Sequence, residues 1–277
     1  MNFFLIVTLS VLLAACKKTV TAQGFEAVPV KKTIANGPNE ISGIADSKTS
    51  PGNIWAHEDS GNPPELILIS HEGVVQKKIP IKNIVNRDWE EMILWKNEIY
   101  IAEIGDNNLT ATEYFFYKFP EPSTTTDTVR NVTTIRFQYS DGPHNAEAFL
   151  IDPSTNDLLI VTKNGMASQV YKIAFPFSTG INTATVVATL PYTGVVAAAQ
   201  SPDGKEIILK TYTSLYYYKV SGTNNFTQTL QGSNTTLGYQ PEPQGEAICF
   251  TQKNNGFFTL SEKAFLPEVH LYYYKRK

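Results

Sequence analysis

The sequence predicts an all-β fold, a five-bladed β-propeller, from three observations. A block of about 50 residues recurs five times, and each block reads as short apolar strands separated by polar hairpins. The strands are rich in Val, Ile, Tyr, Phe and Thr, and Asn, Gly, Asp and Pro separate them. The fifth block lacks its last strand, and a segment that resembles that strand stands at the other end of the chain.

Each block opens with a strand that we expect to line the central channel. These first strands start near Glu40, Glu90, Glu147, Val196 and Glu246, so successive blocks are 50, 57, 49 and 50 residues apart. Four-stranded propeller blades run roughly 40–50 residues. The spacing therefore favours five blades, although a β-sandwich, or a six-bladed ring with a degenerate blade hidden in residues 122–131, remains an alternative.

A polar hairpin leads from the first strand to the second, and a third strand follows. The predicted hairpins are 46–53, 95–98, 152–157, 201–205 and 252–256. The predicted third strands are 65–70, 113–119, 168–175, 214–220 and 268–275. Three of the third strands contain the related strings YFFYKF, LYYYKV and HLYYYK. Their aromatic side chains are most simply explained as packing between blades.

Fourth strands are predicted in four blocks, at residues 74–81, 133–140, 184–191 and 226–232. The fifth block ends with the chain at Lys277. Residues 27–35, AVPVKKTIA, resemble the fourth strand VVQKKIPI of the first block. We therefore expect the N-terminal segment to supply the missing strand and close the ring.

The N-terminus resembles a bacterial lipoprotein signal. Residues 3–15 form an apolar run that is too short to span a bilayer, and the string LAAC ends at Cys16. This pattern predicts a signal peptide at 1–15, a lipidated Cys16 with a tether to residue 25, and the propeller at 26–277. An ordinary cleaved signal peptide is the alternative. Lipidation would place the protein in the cell envelope, and Lys17 and Lys18 favour the outer membrane.

Composition excludes several classes of function. The net charge of −3 offers no basic surface for nucleic acid. The sequence contains no Walker-type loop, GxGxxG, GxSxG or HExxH motif. Beyond Cys16, Cys249 is the one remaining cysteine, and its apolar neighbours predict a buried small side chain. We expect a monomer.

Glutamates at the starts of the first strands would converge on one mouth of the channel. Glutamate is a poor strand former, and converging carboxylates repel one another and lose hydration. A bound cation would compensate, and Ca²⁺ suits an all-oxygen site. Alternatively, backbone N–H groups donate to the glutamates and the ring is a structural staple. The predicted metal ligands are Glu40, Glu90, Glu147 and Glu246.

The ends of the second strands reach the same face, because neighbouring strands are antiparallel. Their charged side chains predict a site for a polar ligand, with plain solvated surface as the alternative. The predicted ligand-binding residues are Glu40, His57, Asp59, Glu103, Asp106, His144, Tyr212, Glu246 and Glu262. Lys163 and Lys210 would attract an anionic group. In a hydrolase they would stabilise negative charge while Glu147 or Glu90 acts as the general base.

Several strings resemble a family of exported, mostly uncharacterised bacterial β-propellers, some of them lipid-anchored. These strings are DWEE at 88–91, IGDN at 104–107, NAEA at 145–148 and EPQGEA at 242–247. The family is similar to propellers described as having the esterase-like activity of phytase. The resemblance covers residues 37–277 and implies a propeller, with hydrolysis as one activity. Calcium-dependent propeller phytases carry denser Asp-rich sites than this chain.

Two functions follow from these patterns. The first is a lipid-anchored envelope propeller that binds a small polar ligand, a glycan or a protein at the channel mouth, with Ca²⁺ as a possible cofactor. The second is a metal-dependent hydrolase of a phosphoester, ester or lactone, in which the cation polarises the substrate. Five-bladed rings also host glycosidases, which need two carboxyl groups about 5–10 Å apart.

Overall fold

Five four-stranded antiparallel blades surround a central channel in the computed structural model, which describes residues 24–35, 37–263 and 268–277. The predicted β-propeller with five blades is confirmed. Blade one contains β2 (Ile41–Asp46), β3 (Asn53–Glu58), β4 (Glu65–Ser70) and β5 (Val75–Pro80). Blade two contains β6 (Trp89–Trp95), β7 (Glu98–Glu103), β8 (Tyr114–Pro120) and β9 (Thr133–Tyr139). Blade three contains β10 (Ala146–Ile151), β11 (Leu158–Thr162), β12 (Gln169–Ile173) and β13 (Ile181–Thr189).

Blade four contains β14 (Val195–Gln200), β15 (Glu206–Thr211), β16 (Leu215–Lys219) and the short β17 (Thr235–Thr236). Blade five contains β18 (Ala247–Phe250), β19 (Gly256–Leu260), β20 (Val269–Lys275) and, from the N-terminal segment, β1 (Val30–Ile34). The outer strands of blades two and three, β9 and β13, also pair with each other in parallel.

The ring closes as the sequence predicts. Strand β1 pairs antiparallel with β20, from Val30 opposite Tyr273 to Ile34 opposite Val269. The contact continues to Phe25, which forms a bridge with Arg276 and packs against the ring of Phe257 at 5.0 Å. The packed domain therefore begins at least one residue before the predicted boundary at 26. The predicted signal peptide and Cys16 lie outside the described residues.

Apolar packing follows the ring. Buried hydrophobic side chains form five clusters in the described chain, one at each junction between neighbouring blades. The aromatic third strands contribute to these clusters, and Tyr114, Phe116, Tyr218 and Tyr274 are almost completely buried. Their role is packing between blades, which removes apolar surface from water. Cys249 is buried and forms no disulfide within the described part of the chain.

Blade four departs from the prediction. Residues 226–232 were predicted as a strand, but Phe226–Leu230 form a helix, α1. The Asn225 side chain accepts a hydrogen bond from the Gln228 N–H at 2.9 Å, and the Gln228 side chain accepts one from the Asn225 N–H at 3.0 Å. This capping box favours a helical start, and Phe226 and Leu230 pack one turn apart into the cluster between blades three and four. No helix among the described residues is long and apolar enough to cross a membrane.

Candidate functional site

A β-bulge places one residue of the inner strand outside the regular ladder in blades one to four. The pairing of first and second strands skips Ser42, Glu90, Glu147 and Val196 in blades one to four. Glu246 stands at the equivalent point, directly before β18, in blade five. A bulge turns its extra residue away from the ladder, and here this brings three glutamates together at one mouth of the channel.

Glu40 does not belong to this inner ring. The register assigns its predicted position to Ser42, two residues further along the chain. Glu40 is exposed at the edge of the mouth, where its Oε2 accepts a hydrogen bond from Asn62 Nδ2 at 2.8 Å. The sequence placed it wrongly because spacing alone does not reveal where a bulge shifts the register.

Three carboxylates from blades one and two converge closely. Asp59 follows β3, Asp88 precedes β6, and Glu90 is the bulged residue of β6. Each offers one carboxylate oxygen, and these oxygens lie within 4.8 Å of one another. This spacing suits a cation that takes oxygen ligands at about 2.3–2.6 Å. Asp88 was not predicted as a ligand, although it stands only two residues before Glu90.

The opposite side of the mouth contains a lysine among carboxylates. Lys163 Nζ contacts Glu147 Oε1 and lies 3.5 Å from Glu246 Oε1 and 3.1 Å from the Tyr212 hydroxyl. That hydroxyl donates to Glu246 Oε1. Glu147 Oε2 is buried and has no hydrogen-bond partner in the described structure. One oxygen of Glu147 thus contacts the Lys163 amine, and the other is unpaired.

We call this site the acidic mouth. Its members come from all five blades: Asp59, Asp88, Glu90, Glu147, Glu246 and Glu262, with Lys163 and Tyr212.

Burial raises the pKa values of five carboxyl groups in the acidic mouth, those of Asp59, Asp88, Glu90, Glu147 and Glu262. It raises the pKa of Glu147 to about 8, with a further rise from Glu246 that Lys163 opposes. Burial and then Glu246 raise the pKa of Glu262 to about 8. Burial raises the pKa of Asp59 to about 6 and that of Glu90 well above its usual range. Several of these groups therefore hold protons near neutral pH, and a cation would displace them.

Lys163 keeps its charge in this setting. Burial opposes the charged form of its amine, but the neighbouring carboxylates of Glu147 and Glu246 outweigh burial and raise its pKa. The acidic mouth thus combines a carboxylate cluster on one side with a fixed positive charge on the other.

Gly105 leaves room for the carboxylate cluster. It follows the end of β7, and a Cβ atom built on it would collide with Glu90 Oε1 and Asp88 Oδ2. Any side chain at this position would displace the two carboxylates. A glycine here therefore permits the close approach of backbone and carboxylates that the cluster requires.

His57 and Lys210 were predicted to face the ligand, but both are completely buried. Burial lowers the pKa of His57 to about 4, and its ring packs edge-on against Trp89. Lys210 Nζ lies 3.5 Å from Glu242 Oε2 and contacts the Tyr239 hydroxyl. Neither side chain reaches the open mouth.

Three other residues that were predicted to bind the ligand instead make hydrogen bonds within the fold. The Glu103 carboxylate accepts hydrogen bonds from Trp89 Nε1 and the Tyr117 hydroxyl at 3.3 and 3.0 Å. Asp106 anchors its own loop by accepting from two backbone N–H groups and the Tyr114 hydroxyl. His144 Nε2 lies 3.0 Å from Asp141 Oδ1 and 2.8 Å from the Tyr171 hydroxyl, beside aromatic side chains of blades two and three.

Glu91, which was not predicted as a site residue, links two blades across the channel. Glu91 is completely buried, and its two oxygens accept hydrogen bonds from the N–H groups of Met92 at 2.9 Å and Ala198 at 2.8 Å. Ala198 belongs to β14, so this side chain links blade two to the non-adjacent blade four. Backbone N–H groups therefore hold Glu91, which is not one of the predicted ring glutamates, and the link joins two blades that are not neighbours.

No protein-family model and no curated protein match the sequence. Solved structures match it in shape. The WD40 repeats of RRP9 are 6% identical, match 91% of this chain and 100% of that chain, and give a TM-score of 0.52. Hydrazine synthase of Kuenenia stuttgartiensis is 8% identical and matches 86% of this chain and 83% of that chain, with a TM-score of 0.46. A nidogen/laminin complex is 12% identical and matches 83% of this chain and 78% of that chain, also with a TM-score of 0.46. At such low identities, the match to RRP9 supports the propeller fold and nothing further.

Proposed function

We propose that this propeller binds a divalent cation at the acidic mouth and, through it, a polar anionic ligand. The observation that carries the proposal is the convergence of Asp59, Asp88 and Glu90, whose oxygens lie within 4.8 Å of one another. Mutually repelling carboxylates in a partly buried cluster need a compensating charge. A divalent cation would supply it.

Ca²⁺ fits this donor set best. The cluster offers carboxylate oxygens only, and Ca²⁺ takes six to eight oxygen ligands in flexible geometry. The unpaired Oε2 of Glu147 marks a further buried oxygen in the same mouth. Waters and oxygens of the ligand would complete the coordination.

Lys163 favours an anionic group on the ligand. Its amine stands opposite the carboxylate cluster and beside the Tyr212 hydroxyl. A phosphate or carboxylate that contacts the bound cation would therefore meet a second positive charge. Small anions, acidic glycans and acidic protein segments share this chemistry. A lipid on Cys16, as the sequence predicts, would hold such a site at the cell envelope.

A thermal melt tests the cation site. In EDTA followed by a Ca²⁺ titration, we expect the melting temperature of the wild type to rise and saturate. At a hundredfold excess over Kd, the gain is about 2.7 kcal/mol, or roughly 5–10 °C for a domain of this size. Glu90→Gln removes one ligand charge and should lose most of this rise.

Glu40→Gln is the matched control, because it makes the same chemical change on an exposed residue outside the cluster. It should respond to Ca²⁺ like the wild type. A wild type that does not respond to Ca²⁺, or a Glu90→Gln variant that responds in full, would contradict the cation site.

A metal-dependent hydrolase is the second candidate, and the environment of Glu147 favours it. A buried carboxyl group with a pKa of about 8 and an unpaired oxygen has the properties of a general base near neutral pH. With Ca²⁺ present, Glu147→Gln should abolish turnover of a phosphoester, ester or lactone while Ca²⁺ still raises the melting temperature. Turnover that survives this substitution would remove Glu147 from the mechanism, and a screen without turnover would leave binding as the function.

A further inference from the structure

The far end of the channel contains a second cavity, of about 380 Å³, which we call the chamber. Its walls come from the ends of four inner strands, at residues 44–46, 92–95, 198–200 and 248–250. Glu91 stands between the two ends, because it follows Glu90 of the acidic mouth and precedes Met92 of the chamber wall. The chamber is therefore separate from the acidic mouth.

The inner part of the chamber is apolar. Its wall includes Ile44, Met92, Leu94, Ala198 and Phe250. The volume equals that of roughly a dozen water molecules in the liquid, and ligand pockets start at about 300 Å³. A small ligand with an apolar body of about ten non-hydrogen atoms would fill it.

Two N–H donors in the chamber wall have no partner. Trp95 Nε1 and Gln200 Nε2 are buried and lack a hydrogen-bond acceptor among the described residues. Gln200 Oε1 accepts from the Ile151 N–H at 2.7 Å, which fixes the amide with its NH₂ group as the unpaired end. A buried donor without an acceptor costs about 1–3 kcal/mol. A ligand that supplies acceptor oxygens here would recover that cost.

The charge at the rim indicates the sign of the ligand. Lys48 and Lys96 line the chamber, and their amines are bound to neutral side-chain oxygens, of Asn97 at 2.8 Å and Asn156 at 3.2 Å. Asp46 is the one acid of this wall. Its two oxygens are occupied, by His71 Nε2 at 2.7 Å and the Gln252 N–H at 2.7 Å.

We propose that the chamber binds an apolar monocarboxylate of about ten non-hydrogen atoms, such as a medium-chain fatty acid. Trp95 and Gln200 are the last residues of β6 and β14, so they stand at the same end of the chamber wall as the two lysines. The carboxylate accepts hydrogen bonds from these donors, and the lysines offset its charge. The alkyl chain extends inward along Met92 and Ala198 and loses its contact with water.

Octanoate is the probe, added to the whole protein, with octanol as the uncharged compound of the same length. We expect octanoate to raise the melting temperature of the wild type saturably and octanol to have a much smaller effect. It should also change the fluorescence of Trp95, because Trp55 and Trp89 are completely buried away from the chamber wall.

Two conservative variants test the donors. Trp95→Phe removes an N–H group that has no partner, so the melting temperature without ligand should stay the same or rise slightly. Gln200→Glu keeps an acceptor for the Ile151 N–H and replaces the free NH₂ group by an oxygen. Each variant should bind octanoate at least about tenfold more weakly, because each loses a hydrogen bond to a charged group.

Glu90→Gln is the control at the other end of the channel and should bind octanoate like the wild type. Its response to octanoate is independent of whether the acidic mouth holds Ca²⁺. The cation site and the octanoate site can therefore be confirmed or contradicted separately. The proposal is overturned if octanoate gives no saturable shift, if octanol binds equally well, or if both donor variants retain full affinity.

Discussion

Glu91→Ala is expected to lower the melting temperature by about 10 °C or more. The substitution leaves the N–H groups of Met92 and Ala198 buried without an acceptor. Each unsatisfied group costs about 1–3 kcal/mol, and about 1 kcal/mol shifts the melting temperature of a domain this size by roughly 2–4 °C. The link between blades two and four is lost as well. A thermal melt in EDTA measures the effect without any contribution from a bound cation.

Neighbouring substitutions are the controls for Glu91→Ala. Glu91→Gln keeps one acceptor and should cost less than alanine. Glu90→Gln, one residue earlier, removes a carboxylate whose pKa is raised by burial and by Glu147. In EDTA it should leave the melting temperature unchanged or raise it. If Glu91→Ala melts like the wild type, the Glu91 carboxyl does not stabilise the ring.

The metal-free protein is expected to lose stability as the pH rises from 6.5 to 8. Burial raises the folded-state pKa values of Glu147 and Glu262 from 4.5 to about 8. Between those values the folded protein binds more protons than the unfolded chain, so its stability falls with pH. Glu147, almost completely buried, contributes about 2 kcal/mol over this interval, and the melting temperature should drop by roughly 4–8 °C.

The cation should reverse this pH dependence. With saturating Ca²⁺, ionised carboxylates become ligands, so stability should hold or rise between pH 6.5 and 8. His57 does not interfere in this interval, because burial lowers its pKa to about 4 and its effect lies below pH 6.5. Melts at four pH values, in EDTA and in Ca²⁺, measure both slopes. Parallel slopes in the two series would contradict a coupling between protons and cation at the acidic mouth.

The sequence predicted the ring because its repeats are local. Each block contains its own strands and hairpins, and the N-terminal strand resembles the strand that it replaces. Helix α1 was missed although its signals were present. Asn225 and Gln228 have capping-box spacing, and Phe226 and Leu230 lie one helical turn apart. The recurrence of four-stranded blocks instead favours a fourth strand for this short apolar run.

The site was predicted only in part, because a β-bulge and contacts between residues far apart in the sequence determine which side chains reach the mouth. Glu90, Glu147, Glu246, Asp59, Lys163, Tyr212 and Glu262 do meet at one mouth. Lys210 does not, since it is paired with Glu242, which is 32 residues away in the sequence. No local pattern predicts such a contact. Glu90 and Glu91 are indistinguishable by residue type, and only the bulge directs the first to the mouth and the second across the channel.

The position of Gly24 determines how an anchored propeller would be oriented. The Gly24 carbonyl accepts a hydrogen bond from the Lys277 N–H at 3.1 Å, and Arg276 donates to the Asn254 carbonyl in the hairpin after β18. The N-terminal segment therefore enters the ring on the side of the chamber. A lipid on Cys16 would tether that side within about 30 Å of the bilayer surface, since eight residues extend no further. The chamber would then face the bilayer, and the acidic mouth would face the aqueous compartment.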